Sequence, residues 1–423
     1  MSTARCHSTF LAVPVDFIRR RLFKPDGIIG GVELKLRLFA VLFCVSVALC
    51  AVASALGQEA NVQKPKGYSA VRPLWGVDHE TVKAAIASGS SGMLPMWTFN
   101  LTSTRDGNPY SGEMVGQSAF SAPNSSTTVT TQIIPIIFVM PDGGVFDPTV
   151  HDPCAAAPGG SAVSLTLGSP IVNATRFNLN GDNVGNTQYL DAFQRANFAK
   201  VIGGNYHTLL NVSVLPAITV NVPASRGATF NDHALFGLCG FTGVVDINWW
   251  DPFVTGTIIP ELASQGVDPT TFPIFLFDNV VMSVGSPGLF KKCCILGYHG
   301  AFGFPAQTYS PIDFDTSGIF GPAIRDTAIM AHEVGEWMDD PLGTNPTPAW
   351  GHVGQVGGCQ NNLEVGDPLT GIDIPTVTMP NGFTYHLQEL AFFSWFYGAP
   401  SIGSGGLFSD DGMFKTDAGP VCQ

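Results

Sequence analysis

Ala331-His332-Glu333-Val334-Gly335-Glu336-Trp337-Met338-Asp339-Asp340-Pro341 is the stretch on which the reading of this chain turns. It closes a helix-compatible segment running from Pro322 to Asp340. On an α-helix, residues i and i+4 share a face, so His332 and Glu336 can grip one ion together. Glu333 stands about 100° around the axis from His332 and flanks that ion. Ala328, Ile329, Met330 and Ala331 are apolar or small, which places His332 where the helix enters a core. Glu333, Glu336, Asp339 and Asp340 crowd the helix C-terminus, where negative charge opposes the macrodipole and a cation would compensate it. The plainer alternative is a solvated acidic helix end; Trp337 in its midst speaks for a pocket instead.

The 423 residues suffice for one large domain or two ordinary ones. Apolar content of 45% with only 13% charged residues excludes a disordered chain and suits an extracytoplasmic protein. The 48 glycines and 31 prolines predict many turns and long loops. Residues 38–56 form an uninterrupted apolar run after Lys35 and Arg37, with the small-x-small pattern Ala53-Ser54-Ala55 near its end. This reads as a secretory signal, so the expected place of action is secreted or periplasmic; the alternative is a retained membrane anchor, since the run is nearly long enough to span. Arg20-Arg21-Leu22-Phe23-Lys24 also resembles a twin-arginine leader.

Without residues 1–57 the chain keeps 13 basic and 30 acidic residues, a net charge of −17. That opposes nucleic-acid or anionic-membrane binding and suits cation binding. Six cysteines then remain: Cys154, Cys239, Cys293, Cys294, Cys359 and Cys422. An even number in an exported chain predicts up to three disulfides, with adjacent Cys293 and Cys294 each taking a distant partner. Cys-x-x-Cys spacing is absent from the sequence. Asn100, Asn124, Asn173 and Asn211 head glycosylation sequons.

Three segments are expected: a leader over 1–57, a propeptide or accessory region over 58–125, and a main domain over 126–423. The first strands of the main domain are a further reading of 58–125. Within that region, residues 94–117 read as a hairpin turning at Asp106-Gly107-Asn108-Pro109. Ile133 to Met140 reads as a buried strand, with Pro135 predicting an edge position or a bulge. Val212–Val222 and Pro273–Phe277 read as strands, Asn186–Lys200 and Thr255–Gln265 as helices, and Cys294–His299 and Gln307–Tyr309 as short strands. The expected class is α+β, a mixed twisted sheet followed by the metal-type helix and a loop-rich C-terminal part. Trp249-Trp250-Asp251-Pro252 reads as packing or a cleft wall, and His299 as a residue able to line the cleft. His79, His151, His207, His233 and His352 stand singly and read as structural or surface residues.

A catalytic zinc needs three protein ligands and an open position. It brings the bound water's pKa toward neutrality, and a nearby carboxylate takes the proton. His332 as ligand and Glu333 as general base fit those roles on one helical turn.

His332, Glu333 and the i+4 position together resemble the His-Glu-x-x-His helix of the zincin metallopeptidases. This chain has Glu336 where the family carries its second histidine, and a carboxylate also ligates zinc. The resemblance implies a zincin-like catalytic domain, a peptide or protein substrate, and zinc or another divalent cation. Leu342 stands where the metzincin pattern has a third histidine. Asn362-Leu363-Glu364-Val365-Gly366-Asp367 resembles the gluzincin pattern instead, which implies Glu364 as third ligand and Asp367 as the residue orienting His332. Asp340 and Glu389 are rival ligands, Asp340 also being a candidate for the outer layer of the site. The family's downstream oxyanion donor corresponds to His386 or Tyr385; a polar start to an aromatic core helix is the plainer account of those two. The competing function is a secreted binding module whose scaffold holds a structural cation or none.

Overall fold

The central strand, Ser126–Val139, shows why a sheet forms here: Ile133, Ile134, Ile136 and Phe138 are β-branched or aromatic and fully buried. The computed structural model describes residues 79–88, 92–285, 287, 293–398 and 403–422. Chain contacts separate residues 1–61 from 62–423, and every described residue belongs to the second unit. The leader expected over 1–57 lies outside the described residues. Among the described residues, no helix is long and apolar enough to cross a membrane.

The fold contains both helices and many strands and is α+β. In the seven-stranded sheet, Ser126–Val139 pairs in parallel with Phe272–Asp278, which pairs in parallel with Gln307–Phe314. Gly300–Phe302 closes that side antiparallel. His207–Val214 and Ile218–Asn221 also run parallel to the central strand.

Pro135 therefore sits inside the sheet, not at the edge or bulge that its presence suggested. Pairing with His207–Val214 ends at Ile133 and pairing with Ile218–Asn221 resumes at Ile136. Pro135 has no N–H to give and falls in that interruption, so the ladder loses nothing by it. The same interruption, at Leu215-Pro216-Ala217, divides the single strand expected over 212–222 into two.

Alternation along the strands splits the core. Ile274, Leu276 and Ile312 face one cluster, together with Ala331, Val334 and Trp337 of the helix Ala328–Asp339. Phe275 and Phe277 face the other, with Trp250, Val254 and Ile258. Those last three belong to a continuous helical stretch from Ile247 to Gln265, longer than the segment expected from Thr255, with a π-helical turn at Val254–Ile258. Trp250 is core, and Asp251 accepts hydrogen bonds from the hydroxyls of Tyr298 and Tyr309.

The motif helix spans Ala328–Asp339, shorter than the segment expected from Pro322. Asp326 is spent before it in an antiparallel bridge to Asp315. The hairpin is present as Met96–Thr102 and Pro109–Val115. Phe99, Met114 and Val115 lie in the same core cluster as the motif helix. Asn345 ties the two elements, donating to the carbonyls of Glu113 and Asp339 at 2.7 and 2.8 Å.

Cys154 pairs with Cys239 and Cys359 with Cys422. Cys293 and Cys294 pair with each other, against the expectation of distant partners. The peptide between them is cis and brings their Cα atoms to 3.0 Å, which sets both side chains close together.

Three buried carboxyls, Asp232, Asp315 and Asp339 at the end of the motif helix, carry a testable consequence. Burial pushes Asp232, Asp315 and Asp339 each up to about 7. One oxygen of Asp232 and one of Asp315 lack any hydrogen-bond partner. These groups hold a proton in the folded state that the unfolded chain gives up near pH 4. Their contribution to stability is full below about pH 4, falls as pH rises through about 7, and is level above that. With chelator present, the urea midpoint is expected to be higher at pH 5 than at pH 8, and Asp232→Asn to flatten part of the difference. A midpoint that is equal or higher at pH 8 would refute this.

Candidate metal centre

Every residue of the motif helix is buried, so the acids at its end are interior groups and not a solvated face. His332 Nε2 lies 3.1 Å from Glu336 Oε1 and 3.6 Å from Asp367 Oδ1. The i, i+4 pair therefore meets, as helical geometry requires. Glu333 turns aside as expected, its Oε1 4.0 Å from His332 Nε2. Its Oε2 lies 3.5 Å from Nδ1 of His299, which also faces Glu336 Oε2 at 3.7 Å.

Two sets of three donors result: His332, Glu336 and Asp367, and His299, Glu333 and Glu336, each set with its atoms within 4.8 Å of one another. A third grouping, His352 with Cys359 and Cys422, is at the surface, where its sulfurs form a disulfide.

The histidine tautomers follow from their outer partners. Gln388 gives its Nε2 hydrogen to the carbonyl of Gly366, so its Oε1 accepts from His332 Nδ1 at 3.1 Å. The proton of His332 is thereby held on Nδ1, and the Nε2 lone pair turns to the carboxylates. His299 Nε2 lies 3.1 Å from the backbone oxygen of Asp340, which can only accept. Nδ1 of neutral His299 is thus the free acceptor, facing Glu333 and Glu336.

The sequence-predicted residues separate here. His332, Glu333 and Glu336 come together. Asp367, expected to orient His332, lies instead among the inner donors, because its Oδ1 faces the side of the imidazole opposite to the one Gln388 holds. Gln360 steadies Asp367 through Oδ2 at 2.8 Å, and Gln355 bonds its Oδ1. Glu364, expected as third ligand, lies beside Glu336, with its Oε2 buried and without a donor.

The carboxylate of Asp340 accepts from the backbone of Thr344 and Asn345 and closes the turn after the helix, while its carbonyl holds His299. Glu389 accepts from the backbone of Asp411 and Met413. His386 is in the short strand Thr384–His386, with Nδ1 2.6 Å from Asp326 Oδ2. Asp326 precedes the helix, six residues ahead of His332 in sequence. Tyr385 belongs to that strand too, not to a helix start, and donates to the carbonyl of Leu165.

Sequence reasoning passed over Gln388 and gave His299 only a general place in the cleft. The glycines carry the one signal for them. A Cβ on Gly297 would lie 2.8 Å from Glu333 Cγ, and one on Gly366 2.5 Å from His332 Nδ1. Both glycines keep room for the cluster. Gly366→Ala must push the His332 ring from its position, so a loss of about 10–100-fold in ion affinity is expected. Calorimetric titration of wild type and variant checks it, and equal affinities would show that the ring has room to spare.

Burial dominates the electrostatics. It raises Glu333 to about 7, with His332 opposing and Asp367 adding to the rise. Burial, then Asp367 and Glu333, hold Glu336 well above the usual range; burial and Glu336 do the same to Glu364. Burial lowers His299 to about 4, so its imidazole is neutral near pH 7. Among the described residues, the ion pairs recorded for Glu333, Glu336 and Asp367 are all with these two histidines.

A divalent cation fits this donor set. It would offset repulsion among carboxylates that otherwise must take up protons. Imidazole with carboxylates suits zinc or manganese. A groove of about 550 Å³ elsewhere, lined by Trp350, Trp395 and Phe414, contains none of these residues. The chain matches no protein-family model, no curated protein and no solved structure.

Proposed function

We propose that the chain is an exported, metal-dependent hydrolase, acting first of all on peptide bonds, with a zincin-like catalytic domain. The observation that carries this reading is the meeting of His332 Nε2 with Glu336 and Asp367 beside the carboxyl of Glu333. His332, Glu336 and Asp367 would hold zinc or another divalent cation, with Glu364 adjoining. When bound, such an ion supplies a water acidic enough to attack near neutral pH and polarises the scissile carbonyl.

The residues of the chain do the rest. Glu333, held near 7 by burial, is poised to accept a proton and return it to the leaving amine. Gln388 keeps the proton of His332 on Nδ1, so that Nε2 remains a donor to the ion. The backbone N–H groups of Gly366 and Asp367 fix Glu336 Oε1, each at 3.1 Å. His386, paired to Asp326, keeps the assigned role of oxyanion donor as part of this proposal.

A second reading is favoured by the near closure of the cluster: His332 is 7% exposed and Glu333 6%. In that reading the ion is structural and the protein acts by binding. Elemental analysis of the purified chain beside His332→Ala and Glu336→Ala tests both. At least about one tightly bound ion per chain, lost from the His332 place in both variants, is the expected result. Chelation that abolishes hydrolysis of a peptide library supports the hydrolase, whereas chelation that only lowers the melting temperature supports the structural ion. Absence of any ion after reconstitution would overturn the hydrolase and leave a binding module that holds no cation.

A further inference from the structure

Glu336 turns its two oxygens to two different histidines. Oε1 faces His332 Nε2 at 3.1 Å and Oε2 faces His299 Nδ1 at 3.7 Å. Each histidine has a further carboxylate oxygen near it, Asp367 Oδ1 at 3.6 Å and Glu333 Oε2 at 3.5 Å respectively. The geometry points to a second cation place, made of His299, Glu333 and Glu336, with Glu336 bridging two divalent ions.

Three observations carry this. His299 is 2% exposed and its Nε2 is committed to the carbonyl of Asp340, so Nδ1 is the ring atom left to face the carboxylates. A buried ring nitrogen among carboxylate oxygens needs a proton or a cation between them. The separations of 3.5 and 3.7 Å are also too long for hydrogen bonds, which fall at about 2.7–3.2 Å. Two donors each about 2.1 Å from one ion lie about 3.0–3.5 Å apart for octahedral or tetrahedral angles, near what is seen here. Finally, a shared carboxylate with an imidazole on each side is the arrangement that holds two ions about 3.5–4 Å apart.

The inference rests on the preceding reading for its first place and adds another. Glu333 cannot be both a ligand and a free base. The second ion therefore withdraws it from proton transfer, and the doubly loaded chain is the slower form: hydrolysis rises with the first equivalent and falls with the second.

The test is Mn(II) titration of the metal-free full chain, followed by calorimetry and electron paramagnetic resonance, with His299→Ala and Glu333→Gln alongside. Circular dichroism establishes that each variant is folded. Two ions per wild-type chain with the broadened signal of a coupled pair, falling to one ion with a six-line spectrum in either variant, is the expected result. One ion in both wild type and variants overturns the second place and leaves the first standing. Two ions that are uncoupled, or a second ion indifferent to both variants, overturn the bridge. No bound ion at all removes the first place and the second with it.

Discussion

Glu333→Gln is expected to reduce hydrolysis by about 10²–10⁴-fold while the chain stays folded and keeps an ion at His332, Glu336 and Asp367. The amide matches the carboxyl in shape, so the packing around Gly297 and Ile329 is preserved. What it loses is the ability to take a proton. Glu333 is not among the three donors gathered around His332, so its loss leaves that set complete. The measurement is turnover on a peptide library, paired with elemental analysis of the same preparation. Full activity with the ion in place would refute the assignment of Glu333 as base. Loss of the first ion with the activity would make Glu333 a ligand of that ion instead.

Trp337→Ala is expected to cost about 3–5 kcal/mol of stability. Trp337 has no exposed surface, and its ring stacks on Phe272 with centroids 3.7 Å apart and planes 8° from parallel. Its Nε1 donates to Thr308 Oγ1 at 3.1 Å, in the strand Gln307–Phe314. Truncation leaves a cavity between helix and sheet and an unpaired buried hydroxyl, both costly. Trp337 also fastens the helix turn that presents Glu336, so ion affinity should weaken along with stability. Urea unfolding of wild type, Trp337→Ala and Trp337→Phe decides the matter. A loss below about 1 kcal/mol for the alanine variant would mean that the interface repacks around the gap.

Much of the local structure was legible in the residues. The hairpin at 96–115 was readable because a turn signal separates two short runs, and a two-strand unit depends on contacts close in sequence. The pairing of His332 with Glu336 followed from helical period alone. The strand at 272–278 was readable because its apolar run is continuous, as a doubly covered parallel strand demands. Where that reasoning missed, a distant segment intervened. Pro135 looked like an edge residue because nothing in its neighbourhood tells where His207–Val214 stops and Ile218–Asn221 begins.

The chain's own order of residues determined that one helix would carry an imidazole and a carboxyl on the same face, since the spacing of side chains on a helix is a property of the backbone. Only the tertiary structure decided what would meet them. Asp367 came up to His332, Gln388 accepted the hydrogen bond from its Nδ1, and His299 arrived from the loop before Gly300–Phe302. Each lies 30 or more residues from its partner in the helix, and such encounters are set by how the sheet and loops pack. Packing closes the cluster, and closure is what makes a cation worth binding there: an acid in water gains little from a neighbouring ion, whereas one cut off from water must have an ion or a proton.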